Sequence, residues 1–206
     1  MDIGRLPRAI AYATLALVLV MGSARTSQAQ DHDGHGAPAA GAAPQKLTQQ
    51  QNDLVKIVRT ATERFKHVTD PSQVGDPYAL VFGCVSGGDF GAMGMHFLRG
   101  DILHDGDVNA SEPEILLFEP THNGGIRITG ADFIVFKSEW DYKHKSEGPP
   151  SLNGQLFHLF DAPNRFGLDA FYTLHVWARK ENPNGTFTNW NPTVSCDEFN
   201  PKTLND

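Results

Sequence analysis

The pattern of apolar residues predicts a helix ahead of the strands. Between residues 48 and 68, apolar side chains recur at helical spacing: Leu54, Ile57, Val58, Ala61, Phe65 and Val68. Thr48 and Gln51 have the spacing of a capping box, in which each side chain accepts a hydrogen bond from the other residue's backbone N–H. Asp70 and Pro71 then end the pattern. We expect one amphipathic helix that covers a face or an end of a sheet.

After Tyr78 the period changes from that of a helix to that of strands. Apolar runs bounded by turns of Gly, Asn, Asp and Pro predict strands at 78–82, 93–98, 114–119, 125–137, 155–160 and 171–179. Gly130 indicates a bulge within the longest of them. Several strands behind one helix predict a mainly β (or α+β) fold, either an antiparallel β-barrel or a sandwich with one N-terminal amphipathic helix.

The segment 138–153 interrupts this pattern. It is charged, has no clear period and contains Trp140, Tyr142 and His144. A connection of this length in a compact domain is often a lid or a binding loop. An irregular surface excursion is the alternative, and the sequence does not decide between the two.

Residues 1–29 predict a secretory signal peptide. Arg5 and Arg8 supply its positive charge, residues 9–21 form a short apolar run, and small residues lead to a cleavage position after Ala29. The apolar run is too short to span a bilayer comfortably. We therefore expect a periplasmic or secreted protein with no membrane attachment after cleavage.

Composition narrows the class of protein. Residues 30–46 are rich in Gly, Ala and Pro and predict a disordered linker, which leaves 47–200 as a single β-rich domain. The chain of 206 residues is 40% hydrophobic, enough for a core, and carries a net charge of −7. The acidic balance argues against a nucleic-acid partner, which needs a basic face. A nucleophile elbow of the Gly-x-Ser-x-Gly type is absent, and the oligomeric state stays open.

Cys84 and Cys196 are the two cysteines of the chain. An even number of cysteines in an exported protein favours a disulfide. A bridge that closes so long a loop stabilises by as much as about 4–5 kcal/mol in the chain-entropy model. A pair of thiolate metal ligands is the alternative, but neither cysteine has a second one beside it. We expect the bridge.

Three histidines stand inside apolar strands, whereas the other six lie in linkers, turns or the helix. The three are His96, His158 and His175. A buried imidazole needs a polar partner, and one shared metal ion would satisfy all three. Three interpretations stay open: a shared metal site, a histidine-lined pocket for an organic ligand, and three separate structural histidines.

Glu119 is the carboxylate best placed to join these histidines, because it shares its strand face with Ile115 and Leu117. Three neutral imidazoles and one carboxylate suit a divalent metal ion; zinc and copper fit best, and iron and manganese are compatible. With an open coordination position, such a site polarises a bound water or binds dioxygen. The predicted metal ligands are His96, Glu119, His158 and His175.

Five blocks of the chain together resemble a group of exported bacterial proteins. They are Gly94-Met95-His96-Phe97, residues 113–120 (PEILLFEP), 154–158 (GQLFH), 174–177 (LHVW) and 191–196 (NPTVSC). The resemblance covers about residues 78–197 and implies no particular reaction. The β-rich layout with histidines is also similar to that of cupins, whose pattern has two histidines one residue apart and a glutamate a few residues on. Here His96 stands alone, and Glu119 lies much further along the chain.

Two functional hypotheses follow. The first is a metalloenzyme that uses the internal metal ion to oxidise or hydrolyse a small molecule. The second is a non-enzymatic protein whose pocket binds a small apolar or aromatic ligand among Phe97, Phe160 and Trp177. The metal content of the purified protein distinguishes them.

Overall fold

The computed structural model of the chain describes residues 46–201. The predicted signal peptide, 1–29, and the predicted linker apart from Lys46 lie outside the described residues. Within the described range, no helix is both long enough and apolar enough to cross a membrane. Export therefore stays a prediction.

The predicted helix opens the described part of the chain. α1 spans Gln49–Ala61, and a short 3-10 turn, Glu63–Phe65, follows it. The capping box is confirmed: Thr48 Oγ1 accepts from the Gln51 N–H at 3.2 Å, and Gln51 Oε1 accepts from the Thr48 N–H at 2.9 Å. The buried side chains of α1 are Leu54, Val55 and Val58. They pack against one face of the sheet.

The rest of the fold is antiparallel strands, and the mainly β class is confirmed. In chain order these are β1 (Tyr78–Ser86), β2 (Ala92–Arg99), β3 (Ile115–Pro120), β4 (Ile126–Phe136), β5 (Ser151–Leu152), β6 (Gln155–Leu156), β7 (His158–Phe160) and β8 (Phe171–Val176). Six of them form one sheet in the order β1-β2-β3-β4-β8-β7, and β5 and β6 pair with each other. Since β1 and β7 are edges, the sheet does not close into a barrel, whereas a sandwich, the other predicted form, is compatible with it.

The two faces of the sheet are covered by different parts of the chain. Phe133 and Leu174 point to the face that α1 covers. The neighbouring residues along the strands point the other way, because side chains alternate across a strand. On that second face, Ile134 and Phe171 pack with Phe166 and other side chains of the connection 161–170. We call this second face the site face.

The predicted bulge at Gly130 is confirmed, and it decides which residues of β4 reach the site face. Leu117 pairs with Gly130 while Phe118 pairs with Ile128, so Thr129 is an extra residue in β4. An extra residue reverses the alternation of every side chain that follows it. Asp132 therefore points to the site face, directly opposite His175 of β8.

The charged segment 138–153 has regular structure. It contains most of a short helix, α2 (Lys137–Lys143), followed by the β5–β6 hairpin. Trp140 is the buried residue of α2, and its Nε1 donates to the Gly148 carbonyl at 3.0 Å. Because Trp140 belongs to the same core cluster as Leu54 of α1, this segment covers the α1 side of the sheet.

The predicted disulfide is confirmed: Cys84 of β1 is bonded to Cys196, and neither cysteine is free to bind a metal. Cys196 packs beside a small cluster that contains Trp177 and Val194. The bridge thus holds the C-terminal segment against the edge of the sheet.

Glu114, just before β3, is a buried carboxyl group. Its side chain is 2% exposed, and its Oε2 accepts from the backbone N–H of Ile134 at 3.2 Å. Burial raises the pKa of Glu114 from 4.5 to about 8, against the opposing effect of its backbone hydrogen bonds. The folded chain therefore holds this proton at neutral pH, whereas the unfolded chain releases it.

This difference predicts a pH dependence of stability. Since the folded state binds the proton more tightly, Glu114 makes the free energy of unfolding fall as the pH rises from about 4.5 to about 8. The slope is roughly 1.4 kcal/mol for each pH unit. Glu114→Gln keeps the acceptor for Ile134 without the charge, so we expect urea unfolding to show that this slope is lost. The exposed Glu112→Gln is the matched control, and an unchanged slope in Glu114→Gln would contradict the prediction.

Candidate metal centre

Three strands bring three ligand-type side chains together on the site face. His96 comes from β2, Asp132 from β4 and His175 from β8, and one donor atom of each lies within 4.8 Å of the others. Asp132 and His175 are directly opposite each other in the sheet. His96 is two strands from Asp132, because β3 lies between them. All three side chains are buried, with no more than 4% of their surface exposed.

His96 is fixed in the form that binds a metal. Its Nδ1 lies 3.0 Å from the Gly94 carbonyl, which only accepts hydrogen bonds, so Nδ1 carries the hydrogen and Nε2 keeps a free lone pair. Gly94 has a φ of +93°, and a Cβ there would lie 2.4 Å from the Phe118 carbonyl oxygen, so this position requires glycine. Burial lowers the pKa of His96 to about 4, and repulsion between two protonated imidazoles, His96 and His175, acts in the same direction. The ring is neutral at pH 7.

His175 is a buried imidazole without a hydrogen bond. Its Nδ1 lies 3.4 Å from Asp132 Oδ1, but the geometry is not that of a hydrogen bond. Within residues 46–201, neither ring nitrogen has a hydrogen-bond partner. Burial, with a smaller electrostatic effect of His158, lowers the pKa of His175 to about 3. This ring is neutral too.

Asp132 supplies the negative charge of the cluster. Thr173 Oγ1 donates to its Oδ1 at 2.6 Å. Burial raises the pKa of Asp132 to about 6, while the bond from Thr173 acts in the opposite direction. At neutral pH the cluster thus consists of two neutral imidazoles and one carboxylate. A lone buried carboxylate is costly unless a cation compensates it.

A small cavity adjoins the three donors. Its volume is about 20 Å³, room for one or two water molecules. Apart from the three donors and Thr173, its lining is apolar: Phe82, Met93, Ile115, Ile134, Phe160, Phe166, Leu168 and Phe171. An ion held by the cluster would face this cavity with open coordination positions.

Of the four predicted ligands, His96 and His175 come together, and Glu119 and His158 lie outside the group. Glu119 is on the predicted face but at the far end of β3, where its carboxylate accepts from Arg127 Nε and Lys180 Nζ, both at 2.6 Å. Two cations compensate it there. Asp132, rather than Glu119, is the carboxylate that lies beside the two histidines.

His158 belongs to the edge strand β7. Its Nε2 lies 3.3 Å from the Phe187 carbonyl oxygen, and it lines a separate cleft together with Trp177. The predicted ligand pocket of Phe97, Phe160 and Trp177 is not formed either, because these rings lie in three different clusters. Phe160 alone among them lines the cavity.

Asp132 is the member of the cluster that the sequence interpretation missed. It stands alone between Ala131 and Phe133 in an otherwise apolar strand. A carboxylate in that position needs a buried partner for the same reason as a mid-strand histidine does. The criterion that selected the three histidines would have selected Asp132 as well.

Comparisons with known proteins do not place the chain in a family. No protein-family model, curated protein or solved structure matches it. The resemblance to exported bacterial proteins and to cupins therefore stays a prediction. The geometry of the site is the feature that bears on function.

Proposed function

We propose that His96, Asp132 and His175 bind one divalent metal ion. The observation that carries this proposal is His175: its ring is 2% exposed, and both nitrogens lack hydrogen bonds within the described part of the chain. An unsatisfied buried polar group costs about 1–3 kcal/mol. An ion bound between His175 and Asp132 gives one of the two ring nitrogens a partner and compensates the carboxylate in one step.

The donor set favours iron(II). Two imidazoles and one carboxylate with open positions form the facial triad of non-haem iron centres. The sequence predicted three imidazoles, for which zinc and copper were the best fit. The observed set has one carboxylate, Asp132, and lacks His158 and Glu119, so the preferred ion becomes iron. Zinc and manganese are the ions that compete with iron for such a site.

The lining of the cavity favours oxidation over hydrolysis. A zinc hydrolase of the His₂-carboxylate kind uses a separate acidic side chain as general base. Here Thr173 is the one polar lining residue besides the three ligands. An open iron position in an apolar cavity suits dioxygen. We therefore propose a metal-dependent oxidation of a small molecule.

We place this activity outside the cytoplasm. The Cys84–Cys196 bridge supports this, because stable disulfides are typical of oxidising compartments. The predicted signal peptide points the same way. A small-molecule substrate is the partner that the site suits.

Metal content tests the proposal. Wild type is purified without a histidine tag and without chelators, and is then reloaded with iron(II) under anaerobic conditions. We expect it to carry one metal ion per chain. Asp132→Asn is expected to retain less than about a tenth of it, because an amide is a poor replacement for the anionic ligand. Glu119→Gln should keep the ion, since its carboxylate is paired with Arg127 and Lys180. Plasma mass spectrometry measures all three.

Two outcomes would overturn the proposal. One is wild type that takes up none of iron(II), manganese(II), zinc(II) or copper(II). The other is loss of the ion from Glu119→Gln with retention in Asp132→Asn, which would favour the ligands predicted from the sequence. Glu114→Gln is the control for misfolding. Like Asp132→Asn, it replaces a buried carboxyl group by an amide, but outside the proposed metal site.

A further inference from the structure

The edge strand β1 has an irregularity directly opposite His96. Leu80 pairs with Phe97 and Cys84 pairs with Met95, so residues 81–83 of β1 face His96 alone. Extra residues of this kind turn a side chain in a new direction, and bulges are frequent beside functional sites. Gly83 has a φ of +56°, the left-handed conformation that favours glycine.

The irregularity brings Phe82 over the site. The centroid of its ring lies 6.2 Å from that of the His96 imidazole. On its other side Phe82 contacts Phe166, with 5.7 Å between ring centroids. Both phenylalanines line the cavity. Together they separate the metal ligands from solvent at this side.

Phe166 is held in place by its neighbours in the connection 161–170. Asn164 Oδ1 accepts from the backbone N–H groups of Phe166 and Leu168, at 3.1 and 3.3 Å. Arg165 donates to the Ser86 carbonyl at 3.1 Å, and its guanidinium lies 5.4 Å from the Trp190 ring centroid. Ser86 ends β1, so Arg165 ties the segment that carries Phe166 to the strand that carries Phe82.

Phe82 is the most exposed of the phenylalanines that line the cavity. It is 36% exposed, whereas Phe160 is 8% and Phe171 is 5% exposed. With Phe82 in place, the cavity of about 20 Å³ holds one or two molecules of the size of water or dioxygen. An apolar cavity that binds benzene measures about 150 Å³. An aromatic ring can approach the metal only if a side chain that lines the cavity moves.

We infer that Phe82 and Phe166 form a gate that sets the size of molecules reaching the metal, and that the substrate is a small uncharged aromatic molecule. This inference rests on the proposed function. With the gate closed, dioxygen can reach the metal. With Phe82 turned towards solvent, one aromatic ring can enter as well. Four phenylalanines and no charged side chain besides the metal ligands line the space that the ring enters.

The test uses protein loaded with cobalt(II), whose visible spectrum changes when a further ligand binds. The probes are azide, which is narrow, and imidazole at a mildly alkaline pH, at which it is an uncharged ring. Phe82→Ala is expected to bind imidazole about tenfold faster than wild type or more, and azide at a rate within about twofold. Val81→Ala changes the neighbouring residue of the same irregularity, which is 44% exposed, and should bind both probes as wild type does.

The outcomes separate the gate from the metal site. If cobalt binds and the imidazole rates are equal in wild type and Phe82→Ala, the gate is wrong and the proposed function stands. Equal acceleration of both probes would also overturn the gate, because it indicates a loosened site. If wild type binds no cobalt, both proposals fail. Arg165→Ala, which keeps Phe82 but frees the connection, should accelerate imidazole too and provides a second variant if Phe82→Ala does not fold.

Discussion

With His175 replaced by leucine, the chain is expected to lose all the stability that a divalent metal ion gives the wild type. A ligand that binds only the folded state stabilises it by about 4 kcal/mol at a free concentration 1,000 times its Kd. His175→Leu lacks one of the three donors, so its melting temperature should not respond to the ion. Calorimetry with and without iron(II), under anaerobic conditions, measures the difference.

The same variant is expected to be more stable than wild type when both are free of metal. Leucine removes two ring nitrogens that have no hydrogen bond in the described structure, which should raise the free energy of unfolding by about 1 kcal/mol or more. Met93→Leu is the control: it changes a cavity side chain by a volume-conserving substitution and keeps every ligand. A His175→Leu protein that is still stabilised by the ion would contradict the assignment.

Removal of the disulfide is expected to cause the largest loss of stability. Cys84 and Cys196 are 112 residues apart, and a cross-link over that distance restricts the unfolded chain enough to contribute about 4–5 kcal/mol. The double variant Cys84→Ser, Cys196→Ser should therefore melt about 10 °C or more below the wild type. Calorimetry of metal-free samples avoids any contribution from a change in metal affinity.

Wild type treated with a strong reductant gives an independent measurement of the same effect. The reduced wild type and the double serine variant should have the same melting temperature. The double variant should not change when the reductant is added. A double variant that melts with the oxidised wild type would show that the bridge contributes little.

The sequence predicts the elements of this fold well, because local chemistry sets most of them. Thr48 and Gln51 locate the start of α1 through hydrogen bonds that each makes with the other. Apolar alternation finds the main strands, and Gly130 indicates the bulge. The periodicity of apolar residues does not predict the short helix α2, because Trp140 is its one buried residue and one apolar position does not define a period.

The site is only half predicted, because its composition depends on the pairing of distant strands. Alternation places Glu119 on the site face correctly, but it cannot show that Arg127 and Lys180 meet that carboxylate. The bulge reverses the direction of Asp132, and its partner His175 is set by the register between β4 and β8. Strand order and register arise from packing across the whole domain. The periodicity of one segment carries no information about that packing.

The spacing of the three proposed ligands along the chain bears on the stage of folding at which an ion could bind. His96, Asp132 and His175 stand on three strands, and no short stretch of chain holds two of them. A zinc finger needs its metal to fold, because close ligands capture the ion early. Here the donors meet only after β2, β3, β4 and β8 have paired, and closing such long loops is a late event in folding. The proposed ion would therefore be taken up by a finished domain, so the supply of metal where the protein works would set how many molecules carry it.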